Sequence, residues 1–131
     1  MIFVDTSFWI ARLLPRDRRH HEATDINRAT TGERLVTSDH VVGETWTFLA
    51  RRAGHAGAVA WLDQLLGSTI NVERISADDA REAWAWLRTH DERAYSYVDA
   101  TSFALMRRRR IDHALAFDDD FAAAGFTEVR V

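Results

Sequence analysis

Short apolar runs alternate with segments of helical period from one end of the chain to the other, and no other feature limits the fold so tightly. The runs are "IFV" (2–4), "RLVT" (34–37), "TINVERI" (69–75), "HALAF" (113–117) and "TEVRV" (127–131). Helical patterns fill the gaps, over 6–14, 16–30, 38–54, 55–67, 76–90, 97–110 and, briefly, 118–126. Strands separated by helices do not close hairpins; they cross over and run parallel. The expected fold class is α/β: a three-layer α/β/α sandwich around a mostly parallel central sheet of about five short strands, the last at an edge.

Local signals punctuate this order. Ser38 or Asp39 is expected to cap the helix that Gly54 stops. Ser76 and Asp79 have the spacing of a capping box. In 16–30 the expected inward residues are Ala23, Ile26 and Ala29. With 131 residues, the chain is expected to be one domain, 1–131, with a sizeable core.

Composition excludes several classes. There is no cysteine, which rules out disulfides and thiolate metal sites and fits a reducing, cytoplasmic setting. No run is apolar and long enough to cross a membrane. The apolar N-terminus has no basic leader and carries Asp5 in its middle, unlike a signal peptide. A net charge of −3 means that any nucleic acid must be met through local patches or metal, not through the global field.

The acidic residues are the informative ones. Asp5 follows strand 2–4 and Asp118 follows strand 113–117, so both belong to the carboxyl rim of the sheet, where α/β folds bind ligands. Glu44 lies early in the helix after strand 34–37 and, between Val41, Val42, Trp46 and Phe48, is expected to be partly buried. Asp99 opens the helix that feeds strand 113–117, among residues that should be packing. Clustered carboxylates repel and raise one another's pKa. A hard cation such as Mg²⁺ or Mn²⁺, which prefers oxygen ligands, removes that cost.

"MIFVDTSFWIA", "SDHVVGETWTFL", "YSYVDATSFALMRRRRI" and "ALAFDDDFAAAGF" together resemble a PIN-domain ribonuclease, and within that superfamily the VapC-type toxins. The likeness covers nearly the whole chain. The family pattern falls on Asp5, Glu44, Asp99, Asp118 and Asp120, with Asp119 pointing away. The resemblance implies a Mg²⁺-dependent endoribonuclease (Mn²⁺ possible) acting on tRNA or rRNA. Its metal would be held by Asp5, Asp99 and Asp118, with Glu44 and Asp120 assisting. Attack by a metal-activated water would leave 5′-phosphate and 3′-hydroxyl ends. By the same analogy Thr6 holds a carboxylate or the attacking water. A homodimer and a VapB-type antitoxin are the implied partners.

Taken singly, these acids have blander readings. Asp5 and Asp120 are good N-caps, Asp99 suits a helix dipole, and Glu44 suits a solvated face. A catalytically silent PIN-like module that binds metal or protein is the alternative function. A receiver or lysine-dependent phosphatase is disfavoured because the chain has no lysine, and Ser7 stands where the phosphatase wants a second Asp. "RRRR" (107–110) reads as a helix C-terminus, and "PRDRRHH" (15–21) as the better candidate for phosphate contact. The histidines lack ligand spacing. Trp61, Trp84 and Trp86 read as core or dimer contacts.

Overall fold

The computed structural model describes residues 1–131. Five strands, β1 (Ile2–Val4), β2 (Leu35–Ser38), β3 (Asn71–Glu73), β4 (His113–Leu115) and β5 (Thr127–Glu128), form one sheet in the order β3-β2-β1-β4-β5. Every pairing is parallel. Seven helices connect them: α1 (Thr6–Leu13), α2 (His20–Ala29), α3 (Asp39–Arg52), α4 (Gly54–Leu66), α5 (Ala77–Thr89), α6 (Tyr97–Arg109) and α7 (Asp120–Ala123).

β1 fills its apolar run and β2 is shifted by one residue, but the last three strands are shorter than theirs. In 69–75 only the central three residues pair. The helix expected over 16–30 begins at His20. Asp17 explains the delay: its carboxylate accepts from the Arg19 amide at 2.8 Å and its carbonyl from the His20 amide at 3.0 Å, closing a turn before α2 starts. Ala23 and Ile26 face inward as expected, whereas Ala29 in the last turn is exposed. Ser38 rather than Asp39 caps α3, accepting from the Val41 amide at 3.0 Å. The Ser76–Asp79 capping box is present at α5.

The topology places the site. The chain builds β1, β2 and β3 outward in one direction, then returns to lay β4 on the other side of β1. The order therefore reverses between β1 and β4, and ligands of open α/β sheets bind at such a switch point, beyond the strand C-termini. Val4 pairs with Leu115 there, and the Asp5 amide donates to the Leu115 carbonyl at 3.0 Å.

α6 is the central helix. Every residue from Asp99 to Met106 is buried, so it has no solvated face over two turns. Phe103 anchors it, packing edge-on against Trp86, Tyr95 and Phe121. Burying an aromatic ring of this kind contributes roughly 1.5–3 kcal/mol, which fixes the helix and so the depth of Asp99. Trp61 packs edge-on to Trp9 in the core, and Trp86 is half-buried, but Trp84 on α5 is 54% exposed, with one ring face stacked on Tyr97.

Candidate active site

Asp5 ends β1 and caps α1. Its Oδ2 accepts from the Ser7 amide at 3.1 Å and the Ser7 hydroxyl at 2.7 Å. Burial, reinforced by the charge of Asp118, pushes its carboxyl up to about 8 against the pull of the Ser7 hydrogen bonds. The N-cap expected of Asp5 is formed: Oδ2 caps the helix, and Oδ1 accepts no hydrogen bond.

Asp99 repeats this economy. It is the third residue of α6 and forms a capping box with Ser96, whose hydroxyl accepts from the Asp99 amide at 2.9 Å. Asp99 Oδ2 accepts from the Ser96 amide at 3.0 Å, leaving Oδ1 free. Burial raises its carboxyl to about 6, opposed by the Ser96 amide and aided by the charges of Asp120 and Glu44.

Asp118 and Asp120 come from the turn between β4 and α7. Asp119 adopts a left-handed backbone, φ 64°, which Asp tolerates better than most residues. The kink returns Asp120 to Asp118, and the Asp120 amide donates to Asp118 Oδ1 at 3.3 Å. Asp119 is exposed and occupies the N-cap position of α7 without a side-chain cap bond, so the cap expected of Asp120 is not formed; Asp120 is the first helical residue. The surrounding protein, then the charges of Asp99 and Asp120, lift the Asp118 carboxyl to about 7. Asp118 is exposed, so solvent screens its charge and weakens its rise the most of the three.

Asp99, Asp118 and Asp120 each place a carboxylate oxygen within 4.8 Å of the others. Ligands of one octahedral Mg²⁺ stand roughly 3.0 Å apart when adjacent and roughly 4.2 Å when opposite, so the three side chains would draw closer together to share one ion. The donors are all hard oxygens, and burial first, then neighbouring carboxylates, raises the carboxyls of Asp99 and Asp118. The residues fit a divalent ion. Asp5 lies outside this trio but is coupled to Asp118 and Asp99 through its charge. Glu44 is also outside it. It is exposed on α3 rather than partly buried, and reaches the site through its charge on Asp99.

Thr6 does not hold the Asp5 carboxylate. Its buried hydroxyl bonds to α3, with the Val41 carbonyl at 3.5 Å and the Thr45 hydroxyl at 3.1 Å. Ser7 does the holding, and its hydroxyl also accepts from the Phe117 amide at 3.0 Å. Arg93, in the loop between α5 and α6, is a second residue that sequence patterns do not mark. Its Nε donates to Asp120 Oδ1 at 2.8 Å. No histidine joins the acidic trio, and His20 Nδ1 is engaged with the Ala11 carbonyl. The arginines of 107–109 pair with Glu82, Asp79 and Glu73, and Arg110 ends α6 in a left-handed conformation.

The chain matches the PIN domain family over residues 2–127. It is 54% identical over 130 residues to the 23S rRNA-specific endonuclease VapC20 of Mycobacterium tuberculosis, covering 99% of this chain and 98% of that one. The crystal structure of M. tuberculosis VapC20, described as a sarcin–ricin loop cleaving toxin, superposes with a TM-score of 0.93 at 53% identity, covering 100% of both chains. Two more distant structures share the fold. A toxin–antitoxin complex from Klebsiella pneumoniae gives a TM-score of 0.68 at 19% identity, covering 98% of this chain and 100% of that one. FitAcB from Neisseria gonorrhoeae gives 0.72 at 15%, covering 100% and 97%. With a family match across nearly all of its length, a full-length relative sharing more than half its residues, and acids gathered at the switch point of its sheet, this chain belongs to the PIN domain family.

Proposed function

We propose that this chain is a Mg²⁺-dependent endoribonuclease toxin that cleaves the sarcin–ricin loop of 23S rRNA, leaving 5′-phosphate and 3′-hydroxyl ends. The observation that carries the reading is the meeting of Asp99, Asp118 and Asp120 oxygens within 4.8 Å at the strand C-termini, beside Asp5. The rRNA target is supported by the 54% identity to a 23S rRNA-specific endonuclease, and the loop by the likeness to the crystal structure of that sarcin–ricin loop cleaving toxin.

Asp5, Asp99, Asp118 and Asp120 are the proposed metal ligands, with Glu44 adding negative charge from α3. Bound Mg²⁺ supplies Lewis-acid stabilisation of a phosphate oxygen and an acidified water. The protein's own work is orientation. Ser7 and Ser96 each fix one oxygen of a carboxylate, and Thr6 ties the start of α1 to α3. Asp5 and Asp118 must shed protons before they bind a cation. A homodimer, a VapB-type antitoxin and a cytoplasmic location complete the proposal. No helix is long and apolar enough to cross a membrane.

The test is cleavage of a synthetic hairpin carrying the sarcin–ricin loop, with mapped product ends. The expected result is a single Mg²⁺-dependent cut that EDTA or Asp5→Asn abolishes while the fold persists. Cleavage that survives both changes, or an intact hairpin after incubation with Mg²⁺ and folded wild-type protein, overturns the proposal.

A further inference from the structure

Three arginines from distant parts of the chain converge on three consecutive carbonyls beside the acidic cluster. Arg130 Nη1 donates to Ala116 at 2.9 Å, Arg19 Nη1 to Phe117 at 3.4 Å, and Arg93 Nη2 to Asp118 at 3.1 Å. Arg19 and Arg130 also lie over the Phe117 ring, at 4.4 and 4.9 Å. These two are matched in charge: Arg19 pairs with Glu22, and Arg130 with Glu22 and Glu128. They act as clamps on the strand exit.

Arg93 differs. Its one acidic partner is Asp120, a member of the candidate metal trio. Two of its nitrogens are anchored, by Asp120 Oδ1 and the Asp118 carbonyl, and Nη1 has no partner. Its side chain is 38% exposed, in a loop at the mouth of the cluster. Once Asp120 shares its charge with a cation, the guanidinium is left with an unmatched positive charge, since arginine does not deprotonate. A fork of N–H donors held by a carboxylate on one side, and open on the other, suits a phosphate.

We propose that Arg93 binds a backbone phosphate of the RNA adjoining the cut, anchored for that task by Asp120 and the Asp118 carbonyl. This rests on the endoribonuclease reading above. The chain carries a net charge of −3, and its site is walled by carboxylates. The metal cannot answer for the flanking phosphates, and Arg93 is the cation already in contact with the site's acids.

The experiment compares Arg93→Gln and Arg93→Lys with the parent. RNA affinity is measured by fluorescence anisotropy on the sarcin–ricin hairpin, across a salt series, with Asp5→Asn in all three proteins to stop hydrolysis. Mn²⁺ affinity is measured calorimetrically, without RNA, in proteins with Asp5 intact. The expected result for Arg93→Gln is about tenfold weaker RNA binding and a salt slope shallower by about one contact. Arg93→Lys should keep the slope and lose part of the affinity, and Mn²⁺ binding should not weaken in either. Unchanged RNA affinity and slope in Arg93→Gln overturns the proposal. So does weaker Mn²⁺ binding with an unchanged slope, which makes Arg93 only a support for Asp120. If wild type cuts the hairpin while Arg93→Gln binds normally, the endoribonuclease reading stands and this assignment alone fails. If wild type neither binds nor cuts it, both fall.

Discussion

Ser7 and Phe117 join the exits of the two central strands: the Ser7 hydroxyl accepts from the Phe117 amide at 3.0 Å while donating to Asp5 Oδ2 at 2.7 Å. One side chain thus sets the carboxylate after β1 relative to the backbone that delivers Asp118 after β4. Ser7→Ala removes both bonds. The expected cost is roughly 1–2 kcal/mol in stability and a 10–100-fold loss in kcat, the range found when the partners of metal ligands are deleted. Thr6→Val, which breaks buried bonds to α3 instead, should lose less activity. Melting curves and single-turnover cleavage separate the two variants.

Stability should fall as pH rises. Asp5 is raised from 3.8 to about 8, and Asp118 and Asp99 are raised to about 7 and 6. The unfolded chain releases these protons near pH 4, whereas the metal-free fold holds them longer. The folded state therefore binds more protons across that window, and its stability declines from pH 4 to pH 8. Asp79 and Glu22 are shifted the other way, so their contributions are complete above their ordinary range and are lost only in acid. Metal-free protein should melt several degrees lower at pH 8 than at pH 5, and saturating Mg²⁺ should raise the melting temperature more at pH 8. A melting temperature that climbs between these pH values contradicts the site's electrostatics.

Asp79 offers a contrast, because it is an acid with a purely structural task. It is buried, closes the α5 capping box, and accepts two bonds from Arg108 at 2.9 and 2.8 Å. Those contacts hold its carboxyl below the usual range despite burial. Asp79→Ala should cost about 2–3 kcal/mol, discounted because Arg108 is partly exposed. Chemical denaturation reads this directly. Cleavage per folded molecule should persist, unlike that of Asp99→Asn.

The two capping boxes show what the sequence can and cannot reveal. Ser76–Asp79 and Ser96–Asp99 have the same spacing and the same local bonds. Only position along the fold separates them, since Asp99 sits at the switch point and Asp79 meets Arg108. The alternation of strands and helices, and acids after β1 and β4, were legible because they depend on local order. Thr6 and Ser7 are adjacent hydroxyls, and the turn into α1, not composition, decides which faces Asp5. Arg93 lies in a short loop and meets Asp120 27 residues away in sequence, so no local pattern marks it. Glu44 is exposed although its neighbours are apolar, because α3 turns that position outward. The left-handed turn at Asp119 decides which residues of "DDD" share the site.

Calorimetric titration with Mn²⁺ at pH 7, run in two buffers of different ionisation enthalpy, decides whether the site's carboxyls hold a divalent ion. Asp5 and Asp118, raised to about 8 and about 7, must release protons as the ion binds. The expected result is saturable binding by the wild type with at least about one proton released, and affinity reduced about tenfold or more in Asp99→Asn. Binding without proton release, or equal affinity in wild type and Asp99→Asn, contradicts it.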